Sequence, residues 1–166
     1  MSVAQITETT QYLTFKLAEE VFALDVAKVR EILEFSSVTT VPQAPDFMRG
    51  GINLRGNVVP VIDLRLKFGM SATEQSVDTC IIVAEVEMAG ETIQLGAMAD
   101  SVQEVSELEP GQIEAAPHIG TRLTTGFLKG MGKQDNNFVM ILDIDRVFST
   151  NELETIHGAD SASEAP

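Results

Sequence analysis

The residue types that carry most protein chemistry are few in this chain, and they stand far apart. His118 and His157 have no cysteine or carboxylate at the spacing of metal ligands. Cys80 is the single cysteine, which excludes an internal disulfide, and its acidic half of the chain does not favour a reactive thiolate. The stretch GGINLRGN lacks the spacing and the lysine of a phosphate-binding loop. We therefore expect no metal, no cofactor and no nucleophilic catalysis.

Two aspartates remain as candidates for chemistry. Asp63 and Asp143 stand at matching ends of two similar apolar segments. Two carboxylates related by a pseudo-dyad could serve as acid and base in a hydrolase. In the competing interpretation, which we favour, each aspartate caps the turn that follows its strand.

The surroundings of Arg55 indicate binding instead of catalysis. Apolar residues flank this arginine in the sequence and recur in an earlier segment: Ile52, Leu54, Val58, Val29 and Ile32. Apolar anchors in a groove would suit capture of a partner helix, with Arg55 and Glu31 fixing the register at the rim. This pattern predicts a non-enzymatic binding module.

The composition permits a core and argues against a nucleic-acid partner. Hydrophobic residues make up 44% of the 166 positions, enough for one domain or two small ones that share a core. The net charge is −14, and lysine and arginine form no cluster that would bind phosphates. No apolar run approaches the roughly 20 residues of a membrane span. The N-terminus lacks the apolar region of a signal peptide, so we expect a cytoplasmic protein.

In the first half, alternation of apolar and polar residues predicts antiparallel strands at residues 12–17 and 21–24. Apolar residues at helical spacing in DVAKVREIL predict a short helix, with Asp25 as its N-cap.

The stretch GGINLRGNVVPVIDLRLKFG, residues 50–69, predicts a hairpin with the turn Arg55-Gly56-Asn57. Pro60 cannot donate a hydrogen bond to a neighbouring strand, so its strand is expected at a sheet edge or with a bulge. Asp63 is expected to cap a short helix at residues 64–68.

The second half is predicted as further strands, a turn and a terminal helix. In chain order these are strands 79–87 and 92–99, a helix or turn at 100–103, a strand at 104–108, a hairpin of 124–130 with 138–143, and a helix at 145–156 beginning near Asp145. Residues 1–10 and 158–166 are predicted as disordered tails.

An internal repeat links the halves. FMRGGINLRGNVVPVIDL, from Phe47, aligns without gaps with FLKGMGKQDNNFVMILDI, from Phe127, and VREI from Val29 matches VQEV from Val102. The repeat predicts two mostly β units related by a pseudo-dyad. We expect one domain, 12–150, with barrels at 12–70 and 78–148, and with the terminal helix packing back on the first barrel.

The motif NLRG, followed by VVPVIDLRLKFG, resembles the CheW family of bacterial chemotaxis coupling proteins. The resemblance also includes YLTFKLAEEVFALDVAKVREI, VPQAPDFMRGGINLRG and FLKGMG, and it extends from about residue 12 to about residue 148. It implies two small five-stranded SH3-like β-barrels packed on a shared hydrophobic interface, with short helices.

The resemblance further implies a non-enzymatic adaptor. Family members couple the cytoplasmic tips of chemoreceptors to the regulatory domain of a CheA-type histidine kinase, so this chain would be recruited to membrane-associated receptor arrays and be largely monomeric when isolated. The matching receptor-groove residues are Val29, Glu31, Ile32, Asn53, Leu54, Arg55, Gly56, Val58 and Val102. The resemblance assigns no individual kinase-binding residues.

Three alternatives stay open. The same fold could serve a chemosensory pathway with another output, such as surface motility. The pair Asp63 and Asp143 could serve a hydrolase. Relatives with a receiver domain or with kinase domains share these motifs, but we expect a stand-alone coupling protein.

Overall fold

The structure, a computed structural model, describes residues 9–35, 38–39, 46–88, 90–114, 128–134 and 137–147. Within these residues the chain is mostly β, as predicted. The strands are β1 (Thr10–Leu17), β2 (Glu20–Asp25), β3 (Val29–Glu34), β4 (Met48–Leu54), β5 (Asn57–Asp63), β6 (Cys80–Met88), β7 (Glu91–Ala99), β8 (Ser101–Leu108), β9 (Ile113–Glu114), β10 (Leu128–Gln134) and β11 (Asn137–Leu142). Two α-helical turns follow hairpins, α1 (Leu64–Lys67) and α2 (Ile144–Val147).

The strands form two sheets with matching internal order. One sheet runs β8-β1-β2-β11-β10-β9 and the other runs β3-β6-β7-β5-β4. In both sheets one parallel pairing, β2 with β11 or β7 with β5, joins strands that are otherwise antiparallel. This arrangement is consistent with two small SH3-like units.

The sheets are not built from consecutive halves of the chain. The first sheet combines β1 and β2 with strands that follow residue 100, so it departs from the predicted division at 12–70 and 78–148. The physical reason is an exchange between the repeats: β3 and β8 each leave the sheet of the preceding strand and form an edge of the other sheet.

The internal repeat is visible in the geometry. The hairpin β4–β5 and α1 match β10–β11 and α2 at an offset of 80 residues, including a register shift at Met48/Gly50 and at Leu128/Gly130. Strands β3 and β8 match at an offset of 73, and the register shifts there leave Arg30 and Gln103 as the extra residues.

A shared apolar cluster joins the two sheets. It includes Phe15 and Phe22 from the first sheet and Ile82 and Leu95 from the second, all fully buried. Each sheet also has a smaller cluster of its own, around Ile141 in the first and around Val61 in the second. Burial of this apolar surface is the main force that holds the two units together.

Two segment predictions are wrong, the helix that begins at Asp25 and the helix or turn at 100–103. The segment that begins at Asp25 makes only a 3₁₀ turn, Val26–Lys28, before it continues as β3, although Asp25 does cap it by accepting a hydrogen bond from the Ala27 N–H. Residues 100–103 belong largely to β8. In both segments a β-bulge inserts one residue, so that Val29 and Ile32, or Val102 and Val105, share a face at a spacing of three. That spacing resembles the spacing of a helix.

The prediction for Pro60 was also wrong in part. Strand β5 lies between β4 and β7, so it is not an edge strand. Its parallel pairing with β7 begins at Val61, one residue after Pro60, and the register shift lies on the neighbouring strand β4. Pro60 therefore lies just before the residues of β5 that pair with β7, where its missing N–H would cost a hydrogen bond.

The remaining segment predictions agree in type. The pairs β1–β2, β6–β7 and β10–β11 are antiparallel, as predicted. Thr10, predicted as the end of the first tail, is instead the first residue of β1, where it pairs with Leu108. The rest of the predicted tails apart from residue 9, most of the helix at 145–156, His118 and His157 lie outside the described residues.

Candidate functional site

The candidate site begins at the tip of the β4–β5 hairpin. Arg55 and Gly56 are the two loop residues, with φ of 53° and 88°. Positive φ at both central residues is the geometry of the tight turns that match the twist of antiparallel strands. The Asn53 carboxamide oxygen accepts a hydrogen bond from the Gly56 N–H at 2.9 Å. Asn57, predicted as part of the turn, is the first residue of β5.

Arg55 forms a two-point ion pair with Glu31. The guanidinium donates to both carboxylate oxygens, at 2.6 and 3.2 Å. This hydrogen bonding lowers the pKa of Glu31 and raises the pKa of Arg55. The arginine side chain remains 73% exposed, so the pair is available to a partner.

The ion pair bridges the two edges of one sheet. Glu31 lies on β3 and Arg55 follows β4, and these are the outermost strands of their sheet. Thr39 also hydrogen-bonds to Gly51 of β4 through the backbone. The sheet therefore curls until its edges approach. A cleft of about 380 Å³ remains along this seam, lined by Leu33, Glu34, Thr39, Gly51, Ile52, Asn53 and Ile81.

A second group of predicted residues is apolar and lies at the margin of the shared cluster. Val29 on β3 and Val102 on β8 are partly buried against that cluster. Ile32 is 43% exposed, although it shares the Val29 face of β3, where their strand partners Ile82 and Ala84 belong to the shared cluster.

Cys80 connects this apolar group across the two sheets. It pairs with Glu34 of β3 and with Ala99 of β7, two residues before β8 begins, and its thiol donates a hydrogen bond to the Asp78 carbonyl at 3.2 Å. Burial raises the pKa of the Cys80 thiol. The beginning of β8 is therefore held next to the end of β3, where the two units meet.

The predicted site residues thus fall on both faces of β3. Val29 and Ile32 face the shared cluster, whereas Glu31 faces the cluster around Val61 and turns toward Arg55. Leu54 packs on that second cluster, and the half-buried Val58 pairs with Asn53. All nine residues lie on β3, on the β4–β5 hairpin or on β8.

One residue that sequence reasoning missed belongs with this group. Val105 on β8 is 53% exposed and lies three residues beyond Val102, as Ile32 lies three beyond Val29. Its strand partner is Leu13 of the shared cluster. The match of VREI with VQEV already pairs Ile32 with Val105 in its fourth position, so the sequence carried the signal for this equivalence.

The two aspartates of the hydrolase alternative lie on different sheets. The Asp63 carboxylate is fully buried and accepts hydrogen bonds from the Arg65 N–H, the Thr73 N–H and the Thr73 hydroxyl, with Arg49 at 3.3 Å. It therefore caps α1, as predicted. Asp143 is also buried, and it directly follows β11.

Neither a group of metal ligands nor a membrane-spanning helix occurs among the residues that the structure describes. No group of three or more His, Cys, Asp or Glu side chains among them could hold a metal ion. No helix in the same part of the chain is long and apolar enough to cross a membrane.

Comparison with known proteins gives consistent relatives. The family model described as the CheW-like domain matches residues 11–152. The chain is 34% identical to the chemotaxis protein CheW of Klebsiella aerogenes, covering 88% of this chain and 86% of that one. It is 30% identical to CheW of Thermotoga maritima, covering 88% and 92%.

A solved structure agrees with this assignment. The scaffolding protein TtCheW of Thermoanaerobacter tengcongensis superposes with a TM-score of 0.76 at 35% identity, covering 86% of this chain and 94% of that one. Because the family model and these relatives span most of the sequence, the chain belongs to the family of the CheW-like domain.

Proposed function

We propose that this protein is a non-enzymatic adaptor of a chemosensory array, where it couples chemoreceptor cytoplasmic tips to a CheA-type histidine kinase. Relatives named as chemotaxis proteins and as a scaffolding protein support the general role. In the cell, the protein would be cytoplasmic, recruited to membrane-associated receptors and largely monomeric when isolated.

The observation that carries this proposal is the combination of an exposed apolar margin with a preorganised ion pair. Ile32 and Val105 expose apolar surface on equivalent strands, and Val29 and Val102 lie beside them at the shared cluster. Such anchors fit the apolar face of a receptor helix. Arg55, held by Glu31, would fix the register of that helix through charge.

The other groove residues would act through the shape of the hairpin. Asn53 and Gly56 hold the turn that presents Arg55, while Leu54 and Val58 support it from the strands. Binding of the kinase regulatory domain would use other surfaces of the two units, so receptor and kinase could bind together.

The test is a binding experiment with two baits, a receptor cytoplasmic fragment and a kinase regulatory domain. Arg55→Glu should reduce receptor binding at least tenfold, because it replaces the ion pair by two like charges, and should leave kinase binding unchanged. Arg30→Glu is the matched control, since Arg30 is an exposed arginine on β3, the edge strand that carries Glu31, and it pairs with Glu85.

The control should retain receptor binding. Equal loss in both variants would mean that net charge and not the site determines binding. Binding of neither bait by the folded wild type would refute the adaptor role. A kinase from a motility pathway, used as a third bait, distinguishes the alternative pathway.

A further inference from the structure

Two ion pairs outside the candidate groove occupy similar places in the repeat, although their residues before β3 and β8 are offset by one position. Arg65 Nη1 lies 3.0 and 3.2 Å from the two carboxylate oxygens of Asp100. Lys28 Nζ lies 2.8 Å from Asp145 Oδ2. Both pairs are largely shielded, with side-chain exposures of 15% and 23% for the first and 26% and 32% for the second.

The two pairs have opposite polarity. Arg65 and Asp145 are each the second residue of the helix that follows a hairpin, α1 or α2. Asp100 and Lys28 each stand immediately before the edge strand that begins next, β8 or β3. The base is on the helix in one unit and the acid is on the helix in the other.

Each pair also holds a backbone group at the end of a third strand. Asp100 accepts a hydrogen bond from the Ala18 N–H, in the turn after β1, where Ala18 has a φ of 58°. Asp145 accepts one from the Glu87 N–H, near the end of β6, at 3.0 Å. An ion pair with further hydrogen bonds and partial burial fixes its partners more firmly than a pair in open solvent.

Both pairs lie at the beginning of a strand that carries apolar residues of the groove. Lys28 directly precedes Val29, and Asp100 lies two residues before Val102. The two pairs thus anchor the first residues of β3 and β8, the edge strands that carry the exposed apolar side chains Ile32 and Val105.

We propose that Arg65–Asp100 and Lys28–Asp145 are positioning pairs that set the separation of β3 and β8, and through it the affinity of the groove for a helical partner. This inference rests on the proposed receptor-binding function. None of the four side chains needs to touch the partner, because each acts by holding the start of an edge strand.

Cys80 provides a direct readout that needs no partner. It pairs with Ala99, two residues before β8 begins, and it is the single cysteine of the chain. If Arg65→Met releases the start of β8, the rate of thiol labelling by a maleimide at fixed pH should rise on the order of tenfold. Arg65→Lys should restore most of the protection.

The receptor-fragment affinity should change in parallel. Arg65→Met is expected to weaken binding on the order of tenfold, with Arg65→Lys close to wild type. Lys133→Met is the matched control, since Lys133 pairs with Glu114 at 2.9 Å in an exposed ion pair between β9 and β10. It should change neither quantity.

The outcomes separate this inference from the proposed function. Suppose that folded Arg65→Met is labelled and binds the receptor as the wild type does, while Arg55→Glu loses the receptor. This result would overturn the positioning role and leave the proposed function standing. If the wild type binds no receptor, the proposed function fails, and the labelling rates still decide whether the pair holds β8. If Arg65→Met does not fold, Lys28→Met tests the other pair, and unchanged receptor affinity in that variant would overturn the inference.

Discussion

At the scale of single residues, the ion pair of Glu31 and Arg55 joins the two edge strands of one sheet. Both residues were expected at the rim of a groove, and the structure joins them at 2.6 Å across the seam between β3 and β4. The direct pairing itself could not be predicted, because β3 was expected to be a helix. If this segment were a helix, the sequence would not indicate that the Glu31 side chain lies near the hairpin tip.

The ion pair predicts the titration of Glu31. Hydrogen bonds from Arg55 lower the pKa of this carboxyl in the folded protein. The stabilisation from the pair is therefore fully present above the ordinary carboxyl pKa and is lost as the pH falls through the lowered one. An NMR titration should show the midpoint of Glu31 below its ordinary value in the wild type, and closer to that value in Arg55→Gln. The same midpoint in both proteins would show that the pair does not persist in solution.

At the scale of elements, β-bulges explain which segments could be read from the sequence and which could not. Regular strands such as β1 and β6 show the expected alternation or apolar run, and both were predicted. In β3 and β8 the extra residues Arg30 and Gln103 break the alternation and place apolar side chains three apart. Local periodicity cannot distinguish this pattern from a short helix, because only strand pairing reveals the bulge.

The hairpin that presents Arg55 depends on the backbone of Gly56. At a φ of +88°, an alanine would be strained although its Cβ would meet no atom within 4 Å. Gly56→Ala should therefore lower the free energy of unfolding by roughly 1–2 kcal/mol, measured by urea denaturation. Gly111→Ala is the control, because Gly111 also has open space but no positive φ. A Gly56→Ala variant as stable as this control would contradict the turn geometry.

At the scale of the whole molecule, the repeat was predictable but the membership of the sheets was not. The offsets of 80 and 73 follow from similar sequence, and they correctly identify equivalent strands. They do not say which strands pair. The exchange of β3 and β8 between the units depends on contacts far apart in the chain, such as Thr10 with Leu108. Neither sheet is complete without strands from both halves.

This interleaving predicts cooperative unfolding of the two sheets. Phe22 is fully buried in the shared cluster and stacks between Phe15 and Phe68, at centroid distances of 6.1 and 5.7 Å. Phe22→Ala should lower the free energy of unfolding by about 3–5 kcal/mol. Hydrogen exchange and circular dichroism in denaturant should show one transition for amides of both sheets. Separate transitions, with only the first sheet affected, would show that the units are independent.

The proposed adaptor role requires that this protein bind a receptor and a kinase at the same time. The most direct test is co-sedimentation of a CheA-type kinase with membranes that contain chemoreceptors, with and without this protein. The kinase should sediment only when the protein is present, and Arg55→Glu should abolish its recruitment while Arg30→Glu does not. Equal sedimentation of the kinase without the protein, or with Arg55→Glu, would contradict the account.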